Sequence, residues 1–218
     1  VFQLLVVKES NVFVCFEGLD GAGKSTQARM LLQRLNKDGV PSELVADPGT
    51  TKIVTAIRQI LLQNDEPISA SAQMLLFSAA RAELAAYIHQ QKSQGVTVLC
   101  DRWLLSTLVY QGELNNICPR LILDIFAATS NVYADICFLL DIAPDAARYR
   151  IGKPRDRYER RCVEEQNRMR TAYLSYAQEQ IYTRHVYTIP ADRPAEETHA
   201  NIYELFCAVR DETPVTAY

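Results

Sequence analysis

Three observations predict an α/β fold of three layers, with helices on both faces of a five-stranded parallel sheet. Five short apolar runs, Val12–Phe16, Glu43–Ala46, Val96–Cys100, Ile136–Leu140 and Val186–Ile189, punctuate the 218 residues. Longer segments with apolar residues at helical spacing separate them, an order that implies right-handed crossovers and parallel pairing. A glycine-rich loop follows the first run directly. The length suits one domain, residues 1–218, with a lid at about 148–161 and a loose tail at 212–218.

The first run leads into Glu17-Gly18-Leu19-Asp20-Gly21-Ala22-Gly23-Lys24-Ser25-Thr26, which carries G-x-x-x-x-G-K-S between a strand and a helix. That setting marks a P-loop NTPase. Glycines let successive N–H groups turn toward phosphate oxygens, Lys24 reaches the β/γ-phosphates, and the Ser25 hydroxyl is placed for Mg²⁺. The helix N-terminus adds partial positive charge to the same anion. Gly18, Asp20, Gly21, Ala22, Gly23, Lys24, Ser25 and Thr26 are the expected ATP-binding residues.

Met30, Leu31 and Leu35 give the first helix its apolar face, and Gly39-Val40-Pro41 ends it. The second strand runs into Asp47-Pro48-Gly49-Thr50-Thr51, followed by a helix marked by Ile57, Ile60 and Leu61. Gly95 prepares the third strand, which ends in Asp101-Arg102-Trp103. Asp141 follows the fourth strand and Pro190-Ala191 the fifth, and a last helix spans about Ala195 to Arg210. Ligands of such sheets gather at the carboxyl ends of the strands, so these strand-end residues are the candidates for function.

Composition narrows the choice. A formal net charge of −3 opposes general nucleic-acid binding or a polybasic membrane anchor, and no apolar run reaches membrane-spanning length. The six cysteines form no C-x-x-C pair and have no histidine at metal-ligand spacing, as expected of reduced thiols in the cytoplasm.

Against that mildly acidic background, two basic features stand out. Asp101 can face Mg²⁺ or its water shell, and Arg102 beside it offers a planar fork for a second phosphate group. Downstream, Arg148, Arg150, Lys153, Arg155, Arg157, Arg160 and Arg161 crowd a segment that Gly152 and Pro154 break. A basic lid closing over transferring phosphates, and excluding water as it closes, accounts for that crowding.

Taken together these residues resemble the thymidylate kinases (dTMP kinases) of the bacterial-like type, which carry their catalytic arginines on the lid. The resemblance runs from about Val12 to about Phe206 and extends to divergent or viral deoxynucleoside monophosphate kinases. It rests on the P-loop, on Asp47-Pro48-Gly49-Thr50-Thr51 against E-P-G-G-T, and on Leu75-Leu76-Phe77-Ser78-Ala79-Ala80-Arg81 against the base-binding helix. Asp101-Arg102-Trp103-Leu104-Leu105-Ser106-Thr107-Leu108-Val109-Tyr110-Gln111-Gly112 is similar to D-R-Y-x-x-S-S-x-A-Y-Q-G, and Asp156-Arg157-Tyr158-Glu159 to the D-R-x-E of the lid.

The resemblance implies an acceptor site of Asp20, Pro48, Arg58, Phe77, Arg81, Arg102, Ser106, Tyr110 and Gln111. Arg58 and Arg102 would hold the acceptor phosphate, Phe77 stack on the base, Arg81 bond its edge, and Tyr110 crowd the sugar 2′ position. Lys24, Arg102, Asp101, Arg150, Lys153, Arg155 and Arg157 become the catalytic set, with Mg²⁺ on Ser25 and Asp101. A homodimer is implied too, working in the cytoplasm, or in the host cytoplasm for a viral member. Ala46, Asp47, Thr50, Trp103 and Leu105 depart from the family pattern and are expected around the acceptor nucleotide, where they bear on which base is taken.

The activity implied is transfer of the ATP γ-phosphoryl group to the 5′-phosphate of dTMP or a related deoxynucleoside monophosphate. Alternatives are a broader monophosphate kinase, a deoxynucleoside kinase using Glu17 or Asp101 as base, and a P-loop switch. The last would need a spaced N-K-x-D, whereas Asn36-Lys37-Asp38 is contiguous and ends the first helix.

Overall fold

The structure is a computed structural model that describes residues 11–63, 66–153, 158, 161–179 and 183–212. Its strands are β1 (Phe13–Gly18), β2 (Ser42–Ala46), β3 (Thr97–Asp101), β4 (Ala134–Asp141) and β5 (Thr183–Pro190). They pair in the order β2-β3-β1-β4-β5, and every neighbouring pair is parallel. All five expected strands are present. The helices are α1 (Lys24–Lys37), α2 (Lys52–Gln63), α3 (Ala70–Ser93), α4 (Leu104–Thr107), α5 (Pro119–Thr129), α6 (Pro144–Ile151), α7 (Val163–Glu179) and α8 (Ala195–Glu212). A π-helical stretch, Leu108–Leu114, continues α4.

Side-chain alternation along the strands splits the core into two faces. Phe13, Cys15, Val98, Cys100, Cys137 and Leu139 point to one side, under Met74 and Leu84 of α3, Phe126 of α5 and Tyr173 of α7. Val14, Phe16, Leu99, Ile136, Phe138 and Leu140 point to the other, under Leu31 and Leu35 of α1 and Ile202 and Phe206 of α8. This is the three-layer arrangement the sequence implies. Cys15 sits in register between Cys100 and Cys137, all three buried as free thiols.

Local chemistry sets the helix ends. Ser69 caps α3 by accepting the Ala72 N–H, and prolines open α5 and α6. Gly152, at φ 63°, stops α6 where the break in the lid was expected. Glu212 is the last residue of α8 rather than the first of a tail, and 213–218 lie outside the described residues. Among the described residues no helix is long and apolar enough to cross a membrane.

Trp103 and Leu105 do not face the acceptor, contrary to expectation. Trp103 is 1% exposed, its ring edge-on to Phe13 and Phe126 and its indole N–H bonded to the Val132 carbonyl at 2.9 Å. Leu105 is buried in the same core. A large apolar side chain that can sink into a core does so, whatever motif surrounds it.

Candidate active site

One cavity of about 740 Å³ opens across the carboxyl ends of the strands. The P-loop forms its floor, and two glycines shape that loop. A Cβ on Gly18 would stand 2.5 Å from the Leu140 carbonyl oxygen, and one on Gly21 2.3 Å from that of Ala147, so neither position admits a side chain. Gly23, at φ 97°, turns the chain into α1. Lys24 folds back over the loop and donates to the carbonyls of Gly18 at 3.0 Å and Leu19 at 2.7 Å. Burial, with the Arg102 charge, brings its amine down to about 8 against the pull of Asp20 and Asp101.

Ser25 donates its hydroxyl to Asp101 at the end of β3. A hydroxyl and one carboxylate are hard oxygen donors beside a phosphate-binding loop, which is the small protein share of ligands that Mg²⁺ takes when phosphates and water supply the rest. Among the described residues no cluster of three or more His, Cys, Asp or Glu is placed to hold a metal. The donor set fits the ion expected.

Arg102 follows β3 directly and lines the cavity beside Asp20 of the P-loop. Its backbone takes φ 73°, a left-handed conformation unusual for an arginine. Its guanidinium pairs with Asp20 and reaches Ser106 at 3.0 Å, Tyr173 at 3.2 Å and Tyr110 at 3.3 Å. Tyr110 in turn donates to Asp20 at 2.8 Å. Burial pushes the Asp20 carboxyl up, but Arg102, Lys24 and the Tyr110 hydrogen bond outweigh it and hold the group at about 2. Asp20 therefore stays ionised and keeps Arg102 aimed.

Arg58 donates to the Pro48 carbonyl at 2.5 Å and packs on Gly49. The Asp47–Pro48 peptide in this turn is cis. Thr50 ties the turn to β2 by accepting the Ala46 N–H at 3.0 Å. Phe77 and Arg81 line the cavity from α3, as their spacing implied. Arg81, however, is only 3% exposed. It is held by Asp47 at 2.6 Å, Thr107 at 2.6 Å and the Trp103 carbonyl at 3.3 Å, which leaves Nη1 without a hydrogen bond to the described residues. Asp47 Oδ1 and Gln111 Nε2 are buried and also lack a partner among them. Burial pushes the Asp47 carboxyl up, opposed by Arg81.

The lid reaches the cavity through Arg150, Ile151 and Tyr158. Tyr158 meets Phe77 and Tyr110 edge-on at 6.1 and 5.9 Å between ring centroids and donates to Gln73 at 3.0 Å. Lys153 is not among the lining residues, and Arg155 and Arg157 lie outside the described residues. Tyr173, Tyr158 and Arg193 enter the site without having been singled out. Arg193 follows β5, so the strand-end rule could have found it; Tyr173 sits mid-helix with no local signal.

Glu17 cannot serve as the free base that a deoxynucleoside kinase would need. It is wholly buried and both its oxygens accept hydrogen bonds from the Trp103–Ser106 turn. Burial pushes its carboxyl up against the Ser106 hydrogen bond and the Arg102 charge.

A P-loop, a strand-end carboxylate on its serine, and a facing pocket with paired arginines and an aromatic wall define a phosphotransferase with two substrate ends. The chain belongs to the thymidylate kinase family, whose model, described as Thymidylate kinase, matches residues 16–202. It is 38% identical over 199 residues to the thymidylate kinase of Symbiobacterium thermophilum, covering 89% of this chain and 92% of that one. The thymidylate kinase of Pelodictyon phaeoclathratiforme is 35% identical over 207 residues, 89% of this chain and 94% of its own. That of Fervidobacterium nodosum is 35% identical over 201 residues, 90% and 99% respectively.

Proposed function

We propose that the chain moves the γ-phosphoryl group of ATP to the 5′-phosphate of dTMP, giving ADP and dTDP. Membership of the family makes it an ATP-dependent nucleoside monophosphate kinase. The observation that carries the acceptor assignment is the juxtaposition, in one cavity, of the P-loop with Arg58, Phe77, Arg102, Tyr110 and Gln111. The attacking phosphate oxygen is already anionic, so positioning and charge neutralisation supply the catalysis and no base is required.

Lys24 and the P-loop amides hold the donor phosphates. Arg58 and Arg102 hold the acceptor phosphate in line, Asp20 keeps Arg102 oriented, and Arg150 closes from the lid over the transferring group. Lys153, Arg155 and Arg157 belong to the same lid in this reading. Ser25 and Asp101 would hold Mg²⁺, which would supply positive charge against the donor phosphates. For the base, Phe77 offers a stacking face, and Arg81 Nη1, Asp47 Oδ1 and Gln111 Nε2 offer unspent donors and an acceptor. Thymine presents two carbonyls and one N–H, which match that set.

The same reading includes a homodimer, supported by the exposed Ile53, Ile60 and Leu75 on α2 and α3. It also places the protein's work in the cytoplasm, in keeping with its free cysteines. One assay panel tests the function: ATP and Mg²⁺ with each common deoxynucleoside monophosphate and with thymidine. Turnover highest on dTMP is expected; phosphorylation of thymidine in preference to dTMP would overturn the assignment.

A further inference from the structure

Glu17, next to last in β1, has no task in phosphoryl transfer, yet few side chains here are held so fully. Its Oε1 accepts the backbone N–H of Trp103 at 2.8 Å and of Ser106 at 3.1 Å, and its Oε2 accepts the Ser106 hydroxyl at 2.6 Å. The Ser106 oxygen lies 3.0 Å from the Tyr173 hydroxyl, and both are within hydrogen-bond reach of Arg102 Nη1. On the other side of the turn, the Arg102 N–H is fixed to the Phe16 carbonyl at 3.0 Å. Between these two anchors Arg102 adopts φ 73°. A non-glycine backbone persists there only when its surroundings over-determine it.

We propose that Glu17 is a positioning residue for the acceptor-phosphate clamp: it pins the Arg102–Ser106 turn and, through Ser106 and Tyr173, fixes the direction of the Arg102 guanidinium. The inference rests on the reading that Arg102 holds the acceptor phosphate. A carboxylate suits the task because its two oxygens accept all three donors at once, and because its charge lies behind the arginine it steadies. Arg102 also meets the P-loop, at the Asp20 carboxylate and the Gly18 carbonyl. Glu17, however, bonds only to the Trp103–Ser106 turn and not to Lys24 or Ser25, so its loss is expected to fall mainly on the acceptor.

Steady-state kinetics with dTMP and ATP varied in turn provide the test. Glu17→Gln keeps the shape and one accepting oxygen but loses the charge and the acceptor for Ser106. It is expected to raise the dTMP KM about tenfold while the ATP KM stays within about twofold. In an Arg102→Ala background the same substitution is expected to raise the dTMP KM no further, since the group it positions is gone. An unchanged dTMP KM, an equal rise in both KM values, or an undiminished effect without Arg102 each overturns the proposal. If Glu17→Gln does not accumulate folded, Ser106→Ala carries the test. That variant removes the hydroxyl that donates to Glu17 Oε2 and lies 3.0 Å from Arg102 Nη1, and an unchanged dTMP KM again overturns the proposal. Arg102→Ala by itself separates the two layers: no rise in dTMP KM there sinks the clamp, whereas a rise there but not in Glu17→Gln sinks only the positioning role.

Discussion

Asp20 and Arg102, 82 residues apart in the chain, meet as an ion pair in the cavity at the carboxyl ends of the strands. Asp20 belongs to the P-loop and Arg102 to the turn after β3, so one contact ties together the two halves of the site. Arg102→Ala is expected to lower kcat by about 10²–10³-fold and raise the dTMP KM, as removal of a positioned charge donor does. Kinetics with the two substrates varied separately check this.

The pair also sets an acid limit. Asp20 falls to about 2 in the fold, against an ordinary value of about 3.9. A depressed carboxyl contributes stability that is complete above the unfolded value and is lost as pH falls toward the folded one. Asp20→Asn should therefore flatten the stability profile between about pH 4 and pH 2, measured by urea unfolding across that window. An unaltered slope there would remove Asp20 from the account.

Lys24 behaves in the opposite range. Its folded value is about 8, below the roughly 10.4 of a free lysine. Between those values the unfolded chain holds a proton that the folded chain does not, so this group adds stability as pH rises through the window. Lys24→Met should abolish that segment of the curve and lower kcat by about 10²-fold or more. Thermal melts from pH 7 to 10, together with turnover, test both halves.

Phe77→Ala should raise the dTMP KM by about tenfold or more and leave the ATP KM alone, because the ring meets only the acceptor end. A change confined to ATP would remove Phe77 from the base pocket.

Gly21→Ala forces a Cβ to within 2.3 Å of the Ala147 carbonyl of α6 at φ 82°. The expected cost is about 2 kcal/mol or more of stability, read by denaturant unfolding. Because α6 carries Arg150, turnover should fall further than that loss explains.

On the lid, Arg150 lines the cavity and Lys153 does not. Arg150→Ala should lower kcat by about tenfold or more, while Lys153→Ala should stay within about threefold. Equal losses would mean that the lid acts by overall charge rather than by a placed arginine.

What the sequence made legible follows from what is local. The central strands β1, β3 and β4 announced themselves because each is a largely apolar run buried on both faces, and the P-loop because its chemistry fits within ten residues. Gly152 marked the end of α6 for the same reason. The partners of Arg81 were hidden, since Asp47 lies 34 residues away and Thr107 26; only folding brings such partners together. Trp103 misled because its motif is an active-site one, while its size and apolarity draw it into the core. Tyr173 had no local signature at all, being one tyrosine on α7 that happens to point at Arg102 across 71 residues.

The strand order β2-β3-β1-β4-β5 has a consequence for how such a site can change. Apart from Asp20, the residues proposed for the acceptor are drawn from chain between β2 and the π-helical stretch, on one flank of β1. Arg193 and Thr198, which also line the cavity, come from the segment after β5 and from α8 on the other flank. Substitutions within 46–111, Asp101 apart, can therefore alter which monophosphate is admitted while the P-loop keeps its sequence. Strand β1 stands between the two flanks, and the Asp20–Arg102 pair is the seam along which a change on one is felt by the other.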